Sequence, residues 1–181
     1  MIELAVSTRY ARALFNVASE DNKLKEYFDE VKSFWDILNT NPDIYRFITL
    51  PIYPKRDRGE VLEELLNRVN PSPPVREFIK ILFENDRIPN LPYIIDHYQK
   101  LLDEKEGIKR GIVFSPFPLD KNIEEKLSKK LAEYLGVKKV ILSFSEDKEL
   151  IGGLRVKIGD LVIDGSLKGQ LSILKEKLLE G

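Results

Sequence analysis

The sequence predicts an α+β chain in two parts: an N-terminal six-helix bundle over residues 1–106, and a small α+β domain over residues 107–181 with a hairpin and a C-terminal helix. Three observations carry this. Apolar residues recur at steps of three and four through the first part, the period of helices with one buried face. Near Gly107 the period falls to two, the mark of strands. Charge divides at the same place, with 15 Lys/Arg against 19 Asp/Glu in residues 1–106 and 14 against 11 in residues 107–181.

In the first helix Val6, Tyr10, Ala13, Leu14 and Val17 form one stripe, and Leu4, Ala11, Phe15 and Ala18 form a second beside it. Together they cover an arc of roughly 200°, where a bundle face needs roughly 100°. Such a helix is either central in the bundle or docks a partner on its spare face. The second helix, about Asn22 to Leu38, carries Leu24, Phe28, Val31, Trp35 and Leu38. A short third holds Ile44, Phe47 and Ile48 between Pro42 and Pro51, and a fourth holds Val61, Leu62, Leu65, Leu66 and Val69. Ser72 and Pro73 suit the cap and first turn of a fifth. That helix turns Val75, Phe78, Ile79, Leu82 and Phe83 inward and leaves Ile81 off the stripe, so an exposed isoleucine is predicted. Asn90 is placed to cap a sixth helix with Ile94, Ile95, Tyr98, Leu101 and Leu102 on one side.

Beyond Gly107, Ile108 to Phe114 reads as a strand. Ile123, Leu127, Leu131 and Leu135 form a helix closed by Gly136 in a left-handed cap. Val140, Leu142 and Phe144 form a second strand. Leu154, Val156 and Ile158 alternate with Arg155 and Lys157, Gly159-Asp160 makes a two-residue type II′ turn, and Leu161 to Ile163 return. Asp164 or Ser166 then accepts from the free amides of a terminal helix striped with Leu167, Leu171, Leu174 and Leu178. The whole is a sheet of about four strands against two helices.

Composition excludes much. Hydrophobic residues at 43% with 33% charged describe a globular protein, and a net charge of −1 gives no general attraction to nucleic acid or anionic membrane. No apolar run approaches the roughly 20 residues of a membrane span, so no direct membrane insertion is expected. No basic region precedes an apolar core at the N-terminus, so no secretory signal is expected. With no cysteine, disulfides and thiolate chemistry are absent, and a charge-rich, cysteine-free chain fits a thermophilic source. The single histidine, His97, has no catalytic or metal-binding neighbours at suitable spacing, and a structural role is expected. Gly165-Ser166-Leu167-Lys168-Gly169 lacks the Gly-Lys-Ser/Thr order of a phosphate loop, and Asp164 would repel a phosphate there. Gly152-Gly153 precedes a strand rather than a helix, so a bulge or a close backbone approach is expected instead of a dinucleotide site. Lys129-Lys130 and Lys138-Lys139 lack the aromatic platform of a nucleic-acid surface. No catalytic residue, metal or cofactor is expected.

Gly152-Gly153-Leu154-Arg155-Val156, Gly159-Asp160 and Asp164-Gly165-Ser166-Leu167-Lys168-Gly169 together resemble the C-terminal signature of the ATP synthase delta subunit family, to which the mitochondrial oligomycin-sensitivity-conferring protein is related. Arg9-Tyr10-Ala11-Arg12-Ala13-Leu14-Phe15 is similar to that family's opening helix, and Leu82-Phe83-Glu84-Asn85-Asp86-Arg87-Ile88 to the end of its fifth. Lys168 stands where the family more often has arginine, and Gln170 where a second basic residue is common.

The resemblance implies a non-catalytic stator on the cytoplasmic face of a bacterial cell membrane, peripheral to it. The bundle would bind the N-terminal helix of one alpha subunit, in a groove mapped onto Tyr10, Ala13 and Leu14 with Phe78, Ile81 and Leu82. The second domain would bind the C-terminal end of the b-subunit stalk, with Leu150, Arg155, Lys168 and Ile173 as candidates. The wide arc of the first helix and the off-stripe Ile81 fit helix-in-groove recognition. Ordinary bundle packing is the competing account of those residues. Competing functions are a free-standing helical adaptor and a small RNA-associated factor.

Overall fold

The computed structural model describes residues 2–169 and 171. The chain divides into two compact units, residues 1–102 and 103–181, so the boundary falls a little before the change of period at Gly107.

The first unit is helical: α1 (Ile2–Glu20), α2 (Leu24–Thr40), α3 (Pro42–Thr49), α4 (Lys55–Val69), α5 (Pro73–Glu84), a 3₁₀ turn (Ile88–Asn90) and α6 (Leu91–Glu106), whose last residues enter the second unit. One apolar cluster joins them, with Ala11 and Leu14 from α1, Leu62 and Leu66 from α4, and Leu91, Ile94 and Tyr98 from α6. α5 turns Val75, Ile79 and Leu82 fully inward and leaves Ile81 42% exposed, as its period predicts. In α1 the buried line is Ser7, Ala11, Leu14 and Ala18, and the three small ones admit close neighbours. Of the rest of the wide arc, Tyr10 and Phe15 are half-buried and pack against the core, while Ala13 and Val17 are exposed.

α2 corrects the expected stripe. Tyr27 and Phe34 are its deep aromatics, while Trp35 is half-buried and meets Tyr45 edge-on at 5.9 Å. The buried set is Tyr27, Phe28, Val31, Phe34 and Leu38, which keeps Phe28, Val31 and Leu38 of the expected stripe and adds Tyr27 and Phe34. Tyr27 can be buried because its hydroxyl donates to Asp21 at 2.5 Å, a bond that pushes the phenol up to about 12.

Two caps also differ in chemistry from their local pattern. Ser72 stands before Pro73 at the start of α5, but its hydroxyl donates to Glu30 at 2.6 Å, and its amide to the same carboxylate at 3.0 Å. Asn90 precedes α6 within the 3₁₀ turn and donates from its amide group to Ser7 at 3.3 Å.

The second unit is β1 (Ile108–Ser115), α7 (Lys121–Leu135), β2 (Lys139–Glu146), β3 (Arg155–Ile158) and β4 (Leu161–Asp164), followed by a helix that opens at residue 167. Asp120 caps α7 by accepting from the Asn122 amide, and Gly136 closes it with φ 63°. The sheet order is β2-β1-β3-β4, parallel between β1 and β2 and antiparallel elsewhere. Val113, Val140, Val156 and Ile158 of the sheet pack with Leu131 of α7. Phe144, expected on the buried face, is partly exposed because β2 is an edge strand with a neighbour on one side only. Leu167 and Leu171 of the terminal stripe are exposed, while Ile173, Leu174 and Leu178 lie outside the described residues.

In the hairpin Ile158 pairs with Leu161 across Gly159-Asp160. Gly159 has φ 59° and Asp160 stays outside the left-handed region, the type II′ pattern. Beyond β4 the pairing continues, with the Gly165 amide donating to Leu154 O at 2.8 Å and the Leu167 amide to Gly152 O at 3.0 Å. Gly153, at φ 82°, lies under that crossing: a Cβ there would stand 2.3 Å from Gly165 O. The close backbone approach expected of Gly152-Gly153 is what forms.

Gly153→Ala is therefore expected to destabilise the α+β unit by about 3 kcal/mol, combining a left-handed alanine with a backbone collision. Gly159→Ala, where a Cβ meets nothing within 4 Å, should cost about 1 kcal/mol. Urea unfolding of the full chain, followed by NMR at amides of β3 and β4, compares the two.

Candidate docking surfaces

Tyr10 of α1 and Phe78 of α5 bring the two helices together, ring edge to ring face, with centroids 6.3 Å apart. Around this pair the expected groove residues part into two groups. Leu14, Phe78 and Leu82 are buried in the unit's own core, Leu82 with no exposed area. Ala13 and Ile81 are exposed and Tyr10 is half-buried. Those three are the members that present surface.

A concavity of about 420 Å³ lies beside them, lined by Val6, Arg9, Tyr10, Ala13, Asn85 and Arg87. Its far wall is the turn after α5. There Asp86 takes φ 53°, the Arg87 amide donates to Leu82 O at 2.6 Å and the Asp86 amide to Phe83 O at 3.0 Å. This is a Schellman closure with aspartate in the left-handed position. The buried Arg58 holds it by donating from Nη1 to both Asp86 and Ile48 O. The turn thus aims Arg87 toward the cleft that Arg9 also lines. Both arginines stand in the motifs Arg9-Tyr10-Ala11 and Asn85-Asp86-Arg87, yet periodicity ranks apolar positions only and so passes over them. Two cations thus line one cleft together with Tyr10.

His97 meets Thr8 at 3.2 Å between ring nitrogen and hydroxyl, a tie between α6 and α1. Among the described residues, no group of three or more His, Cys, Asp or Glu is placed to hold a metal, and no helix is long and apolar enough to cross a membrane.

In the α+β unit the signature residues act on one another. Asp164 accepts from the Ser166 amide at 2.9 Å, and hydrogen bonds from the Ser166 hydroxyl and amide hold its carboxyl below the usual range. Ser166 Oγ accepts from the Gly169 amide at 3.0 Å, which caps the opening turn of the helix. Asp164 and Ser166 therefore both serve as acceptors. A Cβ on Gly169 would crowd the Asp164 carboxylate at 3.1 Å, and one on Gly152 would meet Leu167 at 2.8 Å. The amides that a phosphate loop would offer are spent on Asp164 and Ser166.

The stalk candidates are dispersed in character. Leu150 is 7% exposed, so it is packed inside the unit rather than offered at its surface. Arg155 donates to Asp147 at 2.8 Å and lies over the Phe114 ring at 5.2 Å from its centre. Lys168 is exposed, and Ile173 lies outside the described residues.

The family model described as the ATP synthase delta (OSCP) subunit matches residues 6–178. The chain belongs to that family. It is 38% identical over 181 residues to the ATP synthase subunit delta of Desulfosudis oleivorans, covering 100% of this chain and 98% of the relative. With the ATP synthase subunit delta of Syntrophobacter fumaroxidans it shares 33% identity, again over 100% and 98%. A chain of the mitochondrial ATP synthase hexamer of Toxoplasma gondii shares the fold, with a TM-score of 0.68 at 22% identity over 96% of this chain and 97% of that one. The function that goes with the delta family is that of a non-catalytic stator component of the peripheral stalk. That displaces both the free-standing adaptor and the RNA-associated factor.

The α5 geometry separates surface from core within one turn of helix. Ile81→Asp is expected to leave urea stability within about 0.5 kcal/mol of the parent, and Leu82→Asp to unfold the helical unit by burying a charge. Circular dichroism through a urea titration distinguishes them.

Proposed function

We propose that the chain is the upper joint of the stator, holding the catalytic head to the peripheral stalk at the cytoplasmic face of a bacterial cell membrane. The first unit acts as a six-helix bundle that receives the N-terminal helix of one alpha subunit, and the α+β unit receives the C-terminal end of the b-subunit stalk. Torque from the turning shaft acts on the head, and a joint of this kind resists it without chemistry of its own.

The observation that carries the reading is the α1–α5 face. Tyr10, Ala13 and Ile81 offer apolar surface that the core does not use, and Arg9 and Arg87 line the cleft beside it. An incoming helix gains by burying its apolar residues there, at about 25 cal/mol for each Å² removed from water, while the arginines select acidic flanks. For the stalk, the exposed Lys168 and the Arg155–Asp147 pair are the charged groups the candidate surface offers. A thermophilic source agrees with the composition, and a thermal melt of the chain would test it.

Titration calorimetry of the full chain against a synthetic peptide of the alpha subunit's N-terminal helix tests the first contact. One-to-one binding is expected, weakened at least about tenfold by Tyr10→Ala or Ile81→Asp. Binding indifferent to both substitutions, by folded variants, would remove the groove from this face.

A further inference from the structure

The outer edge of β2 is open, and we propose that it takes up an extended, acidic segment of a partner protein as a fifth strand. This is a surface apart from the stator contacts above: it lies at the opposite edge of the sheet from β4 and does not rest on the stator reading.

The direction of the backbone groups makes the case. The Lys139 amide donates to Gly107 O and the Asp147 amide to Ser115 O, so the odd-numbered residues of β2 turn their polar groups toward β1. Successive residues of a strand point alternately to its two sides. Val140, Leu142, Phe144 and Glu146 therefore turn their amides and carbonyls outward. Val140 O is satisfied by the Ser128 hydroxyl of α7. For the outward groups of Leu142 and Phe144 there is no partner among the described residues. A row of unpaired groups on an eight-residue strand is a template for another chain.

The ends of the edge differ, which specifies the occupant. At the start of β2 a hollow of about 290 Å³ is lined by Lys129, Lys138 and Lys139 against Glu125 alone among acids. At the far end a second hollow, of about 250 Å³, is lined by Phe117, Leu119 and Phe144 together with Glu124 and Glu146. Phe117 is 70% exposed. Both hollows lie on the face of the sheet that α7 covers, so a matching strand carries an acidic residue opposite the lysines and an apolar side chain an even number of residues away, about four to six, at roughly 3.3 Å per residue. A basic residue beyond the apolar one meets the two glutamates. Backbone pairing supplies the affinity, and charge sets which way the segment lies.

The test is amide exchange and titration by NMR on the full chain. The probe is a synthetic peptide of about eight residues: two glutamates, alternating threonine and valine, then phenylalanine and lysine, made in both chain directions. Binding by one direction is expected to slow exchange at Leu142 and Phe144 while Ile141 and Ser143, already paired with β1, change little. Lys138→Glu with Lys139→Glu should weaken it about tenfold or more, and a peptide with glutamates replaced by lysines should bind as poorly. Absence of binding up to millimolar peptide overturns the proposal. So does binding that leaves the Leu142 and Phe144 amides in fast exchange, or that ignores the charge changes. Protection of those amides that rises with protein concentration, with no peptide present, also overturns it by making a second copy the occupant.

Discussion

Val75, Ile79 and Leu82 have no exposed area, and they stand at steps of four and three along α5. Each such side chain is worth about 1.5–3 kcal/mol of burial, so the helix can be turned about its axis only at a cost of several kcal/mol. That rotational setting decides the rest of the helical unit's surface. It places Phe78 against Tyr10 and sends Ile81 to solvent beside α1. It also fixes where the chain leaves the helix, since the Schellman closure draws on the carbonyls of Leu82 and Phe83. The cleft is a consequence of the core, built from what the core had no room to use.

A stator joint has no reaction to perform, so its specialised residues serve shape. In the α+β unit Gly153 lets two backbones cross, Gly152 makes room for Leu167, and Gly169 makes room for the Asp164 carboxylate. These small residues look like a nucleotide loop in one dimension. In three they lock the hairpin to the opening of the helix that follows. Under the stalk contact proposed above, rigidity of that junction would matter, because an element that yields transmits no torque.

Much of this was legible in the sequence, and what was not has a common cause. The exposed Ile81, the Gly159-Asp160 turn, the left-handed Gly136 and the burial of α5 all follow from local period or local φ. The setting of α2 followed only in part, because Phe28, Val31 and Leu38 lie on both candidate stripes. Only the tertiary partner of Tyr27 and the fit of Phe34 decide between them. Glu30 reaches Ser72 across 42 positions, and Arg58, a charged residue in the first turn of α4, is buried against Ile48 and Asp86. Gly111 is needed because a Cβ there would stand 2.6 Å from Ile158. Its necessity depends on the order of strands, which no local pattern encodes. Arg9 and Arg87 were visible as motif letters, but their meeting at one cleft depends on how the turn after α5 is closed.

The central claim is that one chain holds two partners at once through two separate units. Mass photometry of the isolated catalytic head, the soluble b-subunit stalk and this chain tests it directly. The account predicts a ternary particle with one copy of this chain, formed only when the intact chain is present, and lost when its two units are supplied as separate polypeptides. Competition between head and stalk for the chain, with binary complexes but no ternary particle, would contradict it.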